Sequence, residues 1–291
     1  MAEICIGGAP ASWGIFWPHN RELFAPEVYA AQLRDAGYRY TELGPLGYFP
    51  TDPTQLREFL GRHDLTLCGA AHVHTLSDFS SYGVLEEKTR TICSLLQQSS
   101  ARYFVLMDES EHYPNLAAQR LGPEDWAGLV RDVRRIGELV SREYGLSFLF
   151  HSHIGTAVQT KDEIERLLEA VPAEHMGLCF DTAHYAFWED DTLEALKAWR
   201  DRIPYIHLKN LNMGIARQTR AGGLSTEEAF ARGVMQSLGE GDLDIAEIVG
   251  YLRGSRYSGY LVIEEDYVPA KPQTPFELAR QNRAYLAELL G

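Results

Sequence analysis

Apolar positions along this chain follow two rhythms that alternate nearly from end to end. Short runs of β-branched, aromatic and small apolar residues have the length and makeup of strands buried on both faces. Between them lie longer segments whose apolar residues recur every three to four positions, as on one side of a helix. Strand-like runs fall at 3–8, 38–43, 65–70, 101–107, 176–181, 203–208 and 260–265, and a further one opens at Leu146. Helix-like segments fall at 26–36, 53–63, 84–98, 123–144, 161–171, 190–199, 245–252 and 275–289. The first of these shows the expected punctuation, Pro26 at its start and Gly37 just past its end. Two stretches depart from the rhythm. Residues 10–17 read as an aromatic loop, and 213–239 as a long polar excursion over one face with a short helix near Thr226.

Eight strand–helix alternations, with no Pro/Gly/Ser-rich linker and no break in composition, predict a single (β/α)8 barrel over residues 1–291. An open doubly wound sheet is the competing architecture, but no G-x-G-x-x-G or P-loop follows an early strand. In a barrel the C-terminal ends of all strands converge on one mouth. The polar residues expected there are Glu42, His72, Asp108, His151 with His153, Asp181, His207 with Lys209, and Glu264. The stretch 146–156, LSFLFHSHIGT, is the most telling, because residues two apart on a strand point to the same side. Its buried run therefore ends in two neighbouring imidazoles.

His151, Asp181, His207 and Glu264 come from four consecutive strands and are expected to surround one divalent cation. Mixed nitrogen and oxygen donors suit Mn²⁺, Co²⁺, Fe²⁺ or Zn²⁺ better than Ca²⁺. Each residue taken alone has a plainer reading. Asp181 is a natural helix cap, His207 a satisfied core histidine, Glu264 part of an acidic patch with Glu265 and Asp266, and Lys209 a snorkelling surface lysine. All four plain readings would have to hold at one address.

Composition narrows the partners. A formal net charge of −14 argues against nucleic acid or an anionic membrane as the main partner, leaving a small molecule, with a homo-oligomer as an open option. The four cysteines include no C-x-x-C pair, which suits reduced thiols in a cytoplasmic protein. Neither a signal peptide nor a membrane span is expected.

Seven segments resemble the xylose isomerase-like TIM barrels, and within them the inosose dehydratases of myo-inositol catabolism. They are APASWGIF (9–16), TELGPLGYFPTD (41–52), FHSHIGTAVQT (150–160), FDTAH (180–184), IHLKN (206–210), GVMQSLGEGDLDI (233–245) and VIEEDY (262–267). The resemblance implies a metal held by residues of strands five to eight, here His151, Asp181, His207 and Glu264, with Mn²⁺ or Co²⁺ foremost and Zn²⁺, Fe²⁺ or Mg²⁺ as alternatives. The sugar epimerases of the superfamily have Glu where this chain has His151. Asn210 stands where the family usually has Asp, and Glu265 where the dehydratases tend to have Gln.

The implied reaction is loss of water beside the carbonyl of a cyclic keto-polyol, which needs a base, an acid and stabilisation of an enolate. His153 and His184 are the expected base and acid. Lys209 is expected to hold the enolate oxygen, and Glu42 to orient a hydroxyl or act as the base. Trp13, His72 and Arg217 are expected to bind substrate. A ketose 3-epimerase or sugar isomerase using the same enediolate is the alternative, and a non-catalytic sugar-binding barrel a second one.

Overall fold

The structure is a computed structural model that describes residues 3–109, 121–265 and 272–291. Seven of its strands are β1 (Ile4–Gly8), β2 (Tyr40–Glu42), β3 (Thr66–His74), β4 (Tyr103–Asp108), β5 (Ser147–His151), β6 (Gly177–Asp181) and β7 (Tyr205–Leu208). Two short strands follow, β8 (Asn210–Leu211) and β9 (Met235–Gln236), which pair antiparallel outside the barrel. The eighth barrel strand, β10 (Gly259–Ile263), pairs with β7 on one side and β1 on the other, closing a parallel barrel. The predicted (β/α)8 architecture is therefore the one observed.

The helices are α1 (Pro26–Asp35), α2 (Pro53–Arg62), α3 (Tyr82–Gln98), α4 (Pro123–Tyr144), α5 (Lys161–Ala170), α6 (Thr182–Ala186), α7 (Thr192–Ala198), α8 (Met213–Arg220), α9 (Thr226–Ala231), α10 (Ile245–Gly254) and α11 (Pro275–Leu290). Their ends follow local chemistry. The Asp52 side chain accepts hydrogen bonds from the backbone N–H groups of Thr54 and Gln55, at the start of α2. The Glu163 side chain accepts from the Thr160 N–H at the start of α5, and Thr274 with Glu277 forms a capping box that opens α11. Gly145, at φ 65°, ends α4 in the left-handed conformation that glycine adopts without penalty.

Alternation along the strands sorts the core into two layers. Phe104, Leu106, Phe148, Phe150, Phe180 and Leu208 face outward beneath the helices. Cys68, Val105, Leu149, Cys179, Tyr205 and Val262 fill the inside of the barrel. Towards the N-terminal ends, Tyr103 and Tyr205 meet with ring centroids 5.1 Å apart although β4 and β7 are not neighbours, so they meet across the interior. Tyr40 and Tyr260 do the same at 5.2 Å, and Tyr260 lies 6.0 Å from Tyr103.

Three departures from the sequence reading matter for the site. β3 runs on to His74, paired with Asp108 of β4, rather than ending at Ala70. Ala71 packs inside the barrel, so His72 and His74 lean the other way, and His74 Nε2 lies 2.8 Å from the Ser81 hydroxyl. The segment 182–186 is a short helix directly after β6, ahead of α7. The excursion 213–239 holds α8, α9 and β9. It packs its own small core from Met213, Ala216, Ala229, Val234 and Met235 against Ala183 and Phe187.

Gly137 in α4 tests how tightly the helix layer sits. A Cβ there would collide with the carbonyl oxygen of His175 and approach the Phe148 ring at 3.1 Å. Gly137→Ala should gain about 1 kcal/mol of helix propensity. It should still lower stability by about 1–3 kcal/mol through overpacking, read as a lower urea midpoint. A raised midpoint would show that α4 moves freely on the sheet.

Candidate metal centre and active site

The C-terminal mouth opens into a cavity of about 420 Å³ lined by residues of several strands and by the loop after β1. Five of the expected residues meet in its depth. His151 Nε2 lies 3.4 Å from Asp181 Oδ2, and His207 Nδ1 lies 3.9 Å from the same oxygen and 3.2 Å from Glu264 Oε2. The Lys209 ammonium bridges the two carboxylates, at 3.3 Å from Asp181 and 2.9 Å from Glu264.

Asp181 shows how local structure makes a site. Its Oδ1 accepts from the N–H groups of Ala183 and His184, capping α6, and this fixes the carboxylate plane. Oδ2 is thereby turned towards the histidines and has no hydrogen bond. The expected cap and the expected ligand are the same residue used on two sides.

Electrostatics fits a cation. Burial alone would raise the Asp181 carboxyl, but Lys209 and His151 beside it hold it down at about 2. Burial opposes the charge on Glu264 too, and His207 with Lys209 keeps its carboxyl well below the usual range. Burial pushes the His207 imidazole down, yet Cys179, Glu264 and Glu42 carry it well above its ordinary value. Besides Asp181 Oδ2, the buried Nδ1 atoms of His151 and His207 lack hydrogen-bond partners. Among the described residues, three groups have donor atoms within 4.8 Å of one another: His151–Cys179–His207, His151–Asp181–His184 and Glu42–His207–Glu264. They overlap at His151 and His207. Unpartnered nitrogen and oxygen donors around a buried carboxylate suit a divalent metal.

The other expected residues are distributed unevenly. His153 lines the cavity, and its Nδ1 lies 2.8 Å from the Ile154 carbonyl oxygen. An oxygen that only accepts fixes the proton on Nδ1 and leaves Nε2 with its lone pair. Burial, then His151 and Lys209, pushes this imidazole down to about 3. His184 stacks on it at 3.8 Å between centroids but does not line the cavity. His184 Nδ1 accepts from the Ile154 N–H at 3.3 Å, and its Nε2 lies 3.2 Å from Lys209 Nζ. Glu42 faces the cavity, with Oε1 taken by Tyr205 and His207. His72 reaches the cavity from its edge.

Trp13 is not brought to the substrate space. It is 1% exposed, donates from Nε1 to Gln32 at 2.7 Å and packs edge-on against Tyr29, anchoring the loop from behind. Phe16 and Trp17 form the aromatic wall instead, at 48% and 41% exposure. Gly14, at φ 73°, reverses the chain between them and Trp13, and the Trp-Gly pair is the signal that sequence reading passed over. Arg217 is also absent from the cavity. It lies on α8, 61% exposed at its side chain and 3.5 Å from Asp190. The excursion does not line the cavity, because its apolar residues are committed to its own core.

Three further polar residues prove structural. Asp108 spends Oδ1 on the N–H groups of Leu76 and Glu109 and Oδ2 on that of Ala157, tying loops after β3, β4 and β5. Asn210 donates to the carbonyls of Leu238 and Leu243 and accepts from the N–H groups of Leu211 and Leu243. Glu265 turns away from Glu264 and accepts from Ser237 and Asn282. Asp266 and Tyr267 lie outside the described residues.

Comparison with known proteins gives this geometry its kin. A family model described as xylose isomerase-like TIM barrel matches residues 30–289. An inosose dehydratase of Geobacillus thermodenitrificans is 33% identical over 303 residues, spanning 99% of this chain and 98% of that relative. One of Bacillus velezensis is 30% identical, over 99% of this chain and 97% of the relative. A solved structure of IolI protein with a bound zinc atom superposes with a TM-score of 0.69 over 100% of this chain and 98% of that one, at 15% identity. No helix of the described residues is long and apolar enough to cross a membrane. End-to-end likeness, together with the closed eight-stranded barrel, shows that the chain belongs to the xylose isomerase-like TIM barrel family and, within it, to the inosose dehydratases.

Proposed function

We propose that the cavity binds 2-keto-myo-inositol, or a closely related cyclic keto-polyol, and removes water from it with the aid of a divalent metal, Mn²⁺ or Co²⁺ foremost. The observation that carries this reading is the near-full-length likeness to inosose dehydratases. The site supplies groups suited to that chemistry. His151, Asp181, His207 and Glu264 would hold the metal, which when bound supplies Lewis-acid stabilisation of enolate charge beside the carbonyl.

The remaining steps fall to the chain's own side chains. His153 Nε2, with its lone pair free, takes the α-proton. The Lys209 ammonium is a buried donor for the enolate oxygen. When the β C–O bond breaks, the protonated His153 returns its proton to the departing hydroxyl. Water leaves, the imidazole is restored, and the enol left behind tautomerises to the dione. His184 lies behind His153, outside the cavity lining, and does not meet substrate. Phe16 and Trp17 give the ring's C–H face an apolar wall.

Chelation should abolish the appearance of dione absorbance from 2-keto-myo-inositol, and Mn²⁺ or Co²⁺ should restore it. Full activity in a metal-free preparation would remove the metal from the mechanism. A panel of ketohexoses run alongside separates the alternatives. Stereoisomers of a ketose with no dione from the inosose would mean a 3-epimerase, and binding without turnover a sugar-binding barrel.

A further inference from the structure

Glu42 ends β2, and barrel closure carries it to His207, 165 positions later in the chain. Its Oε1 lies 2.9 Å from the Tyr205 hydroxyl and 3.0 Å from His207 Nε2. The three residues are sealed from solvent, at 2% exposure for Glu42 and His207 and 0% for Tyr205. A carboxylate only accepts, so both neighbours must donate to it. The Tyr205 proton is thereby committed, and the Cys68 thiol, 3.2 Å from the same hydroxyl, is the donor in that contact. His207 likewise keeps a proton on Nε2. Its other nitrogen, Nδ1, is the buried atom without a hydrogen bond that sits between Glu264 and Asp181.

We infer that Tyr205 and Glu42 are positioning residues: the Tyr205–Glu42–His207 relay fixes His207 with Nε2 protonated and aims its Nδ1 lone pair at the divalent cation. The inference rests on the metal reading given above. It also gives Glu42, whose Oε1 is bound from two sides, a positioning role in place of that of base. Gly69 belongs to the same device. A Cβ at that position of β3 would come within 3.0 Å of the Tyr205 hydroxyl, so glycine leaves the phenol the room it needs to reach Glu42.

The test measures Mn²⁺ affinity by chelator competition, and the protonated nitrogen of His207 by ¹⁵N NMR of the metal-free protein at alkaline pH, where the imidazole is neutral. Glu42→Ala should weaken Mn²⁺ binding about 10–100-fold, the usual range for the partner of a metal-bound histidine. It should also spread the His207 proton over both nitrogens. Glu42→Gln, which keeps an acceptor, should recover the Nε2–H form and part of the affinity. Tyr205→Phe should weaken binding less on its own and add nothing on top of Glu42→Ala, because the phenol acts only through the carboxylate. Gly69→Ala, which crowds the hydroxyl, should act in the same direction as Tyr205→Phe.

Unchanged affinity and an unchanged His207 proton in Glu42→Ala would overturn the relay. So would Glu42→Gln that keeps Mn²⁺ fully and loses only kcat, which would return Glu42 to the role of base. If the unmodified protein binds no divalent cation, the metal reading fails, and the NMR comparison still decides whether Glu42 sets the tautomer.

Discussion

Asp181→Asn is expected to empty the site of metal and slow water loss about 10³-fold or more, while the barrel stays folded. The reason lies in the two oxygens. Asn keeps an oxygen at the Oδ1 position, so the N–H groups of Ala183 and His184 remain capped. Asn and Asp are equally good caps, and the helix should lose only a few tenths of a kcal/mol. At the other position an amide NH₂ replaces Oδ2, and it would point donors at Lys209 Nζ, 3.3 Å away, and His151 Nε2, 3.4 Å away. Metal content per chain, dione formation and an unfolding curve together test this. Full metal content with full activity would take Asp181 out of the site. Wholesale unfolding would show that the cap depends on the charge.

Lys209→Met is expected to weaken the metal-free protein by about 3–5 kcal/mol, because it leaves two buried carboxylates without their ammonium. For a chain of this size that corresponds to a drop in Tm of about 10 °C. A divalent cation supplies the lost positive charge, so saturating Mn²⁺ should raise Tm more in the variant than in the unmodified protein. Restored stability should not restore catalysis. The enolate oxygen would still lack its buried donor, and dione formation should stay about 10²–10³-fold down. A melt within 2 °C of the unmodified protein would show that Lys209 is not the counter-charge for Asp181 and Glu264.

The barrel was legible because alternation between buried runs and 3.6-residue periods is a backbone-wide signal, repeated at every strand. The cluster at strand ends was legible for the same reason, since closure alone brings His151, Asp181, His207, Lys209 and Glu264 to one mouth. What the sequence could not convey is which way a side chain points once a strand runs long or a loop turns. His72 sits at the cavity edge because β3 continues four residues beyond Ala70. Trp13 and Trp17 look equivalent in an aromatic loop, and a single left-handed residue between them sends one into the core and the other to the mouth. Arg217 was expected at the substrate, but α8 packs into a satellite core outside the cavity lining. Asn210 and Glu265 do not line the cavity. An Asp at 210 could not donate to the carbonyls of Leu238 and Leu243, so the amide there holds the excursion's root together.

The tyrosines that meet across the barrel's N-terminal end have a consequence for traffic. Rings of Tyr40, Tyr103, Tyr205 and Tyr260, with neighbouring centroids 5.1 to 6.0 Å apart, stopper the tube from below. Among the described residues, ketone, dione and the expelled water then share the doorway at the top, lined by Phe16 and Trp17. A water molecule set free behind the product cannot slip out through the floor, and until the product departs it stays within reach of the carbon it left. The order in which the two leave therefore decides how often a completed turnover is undone.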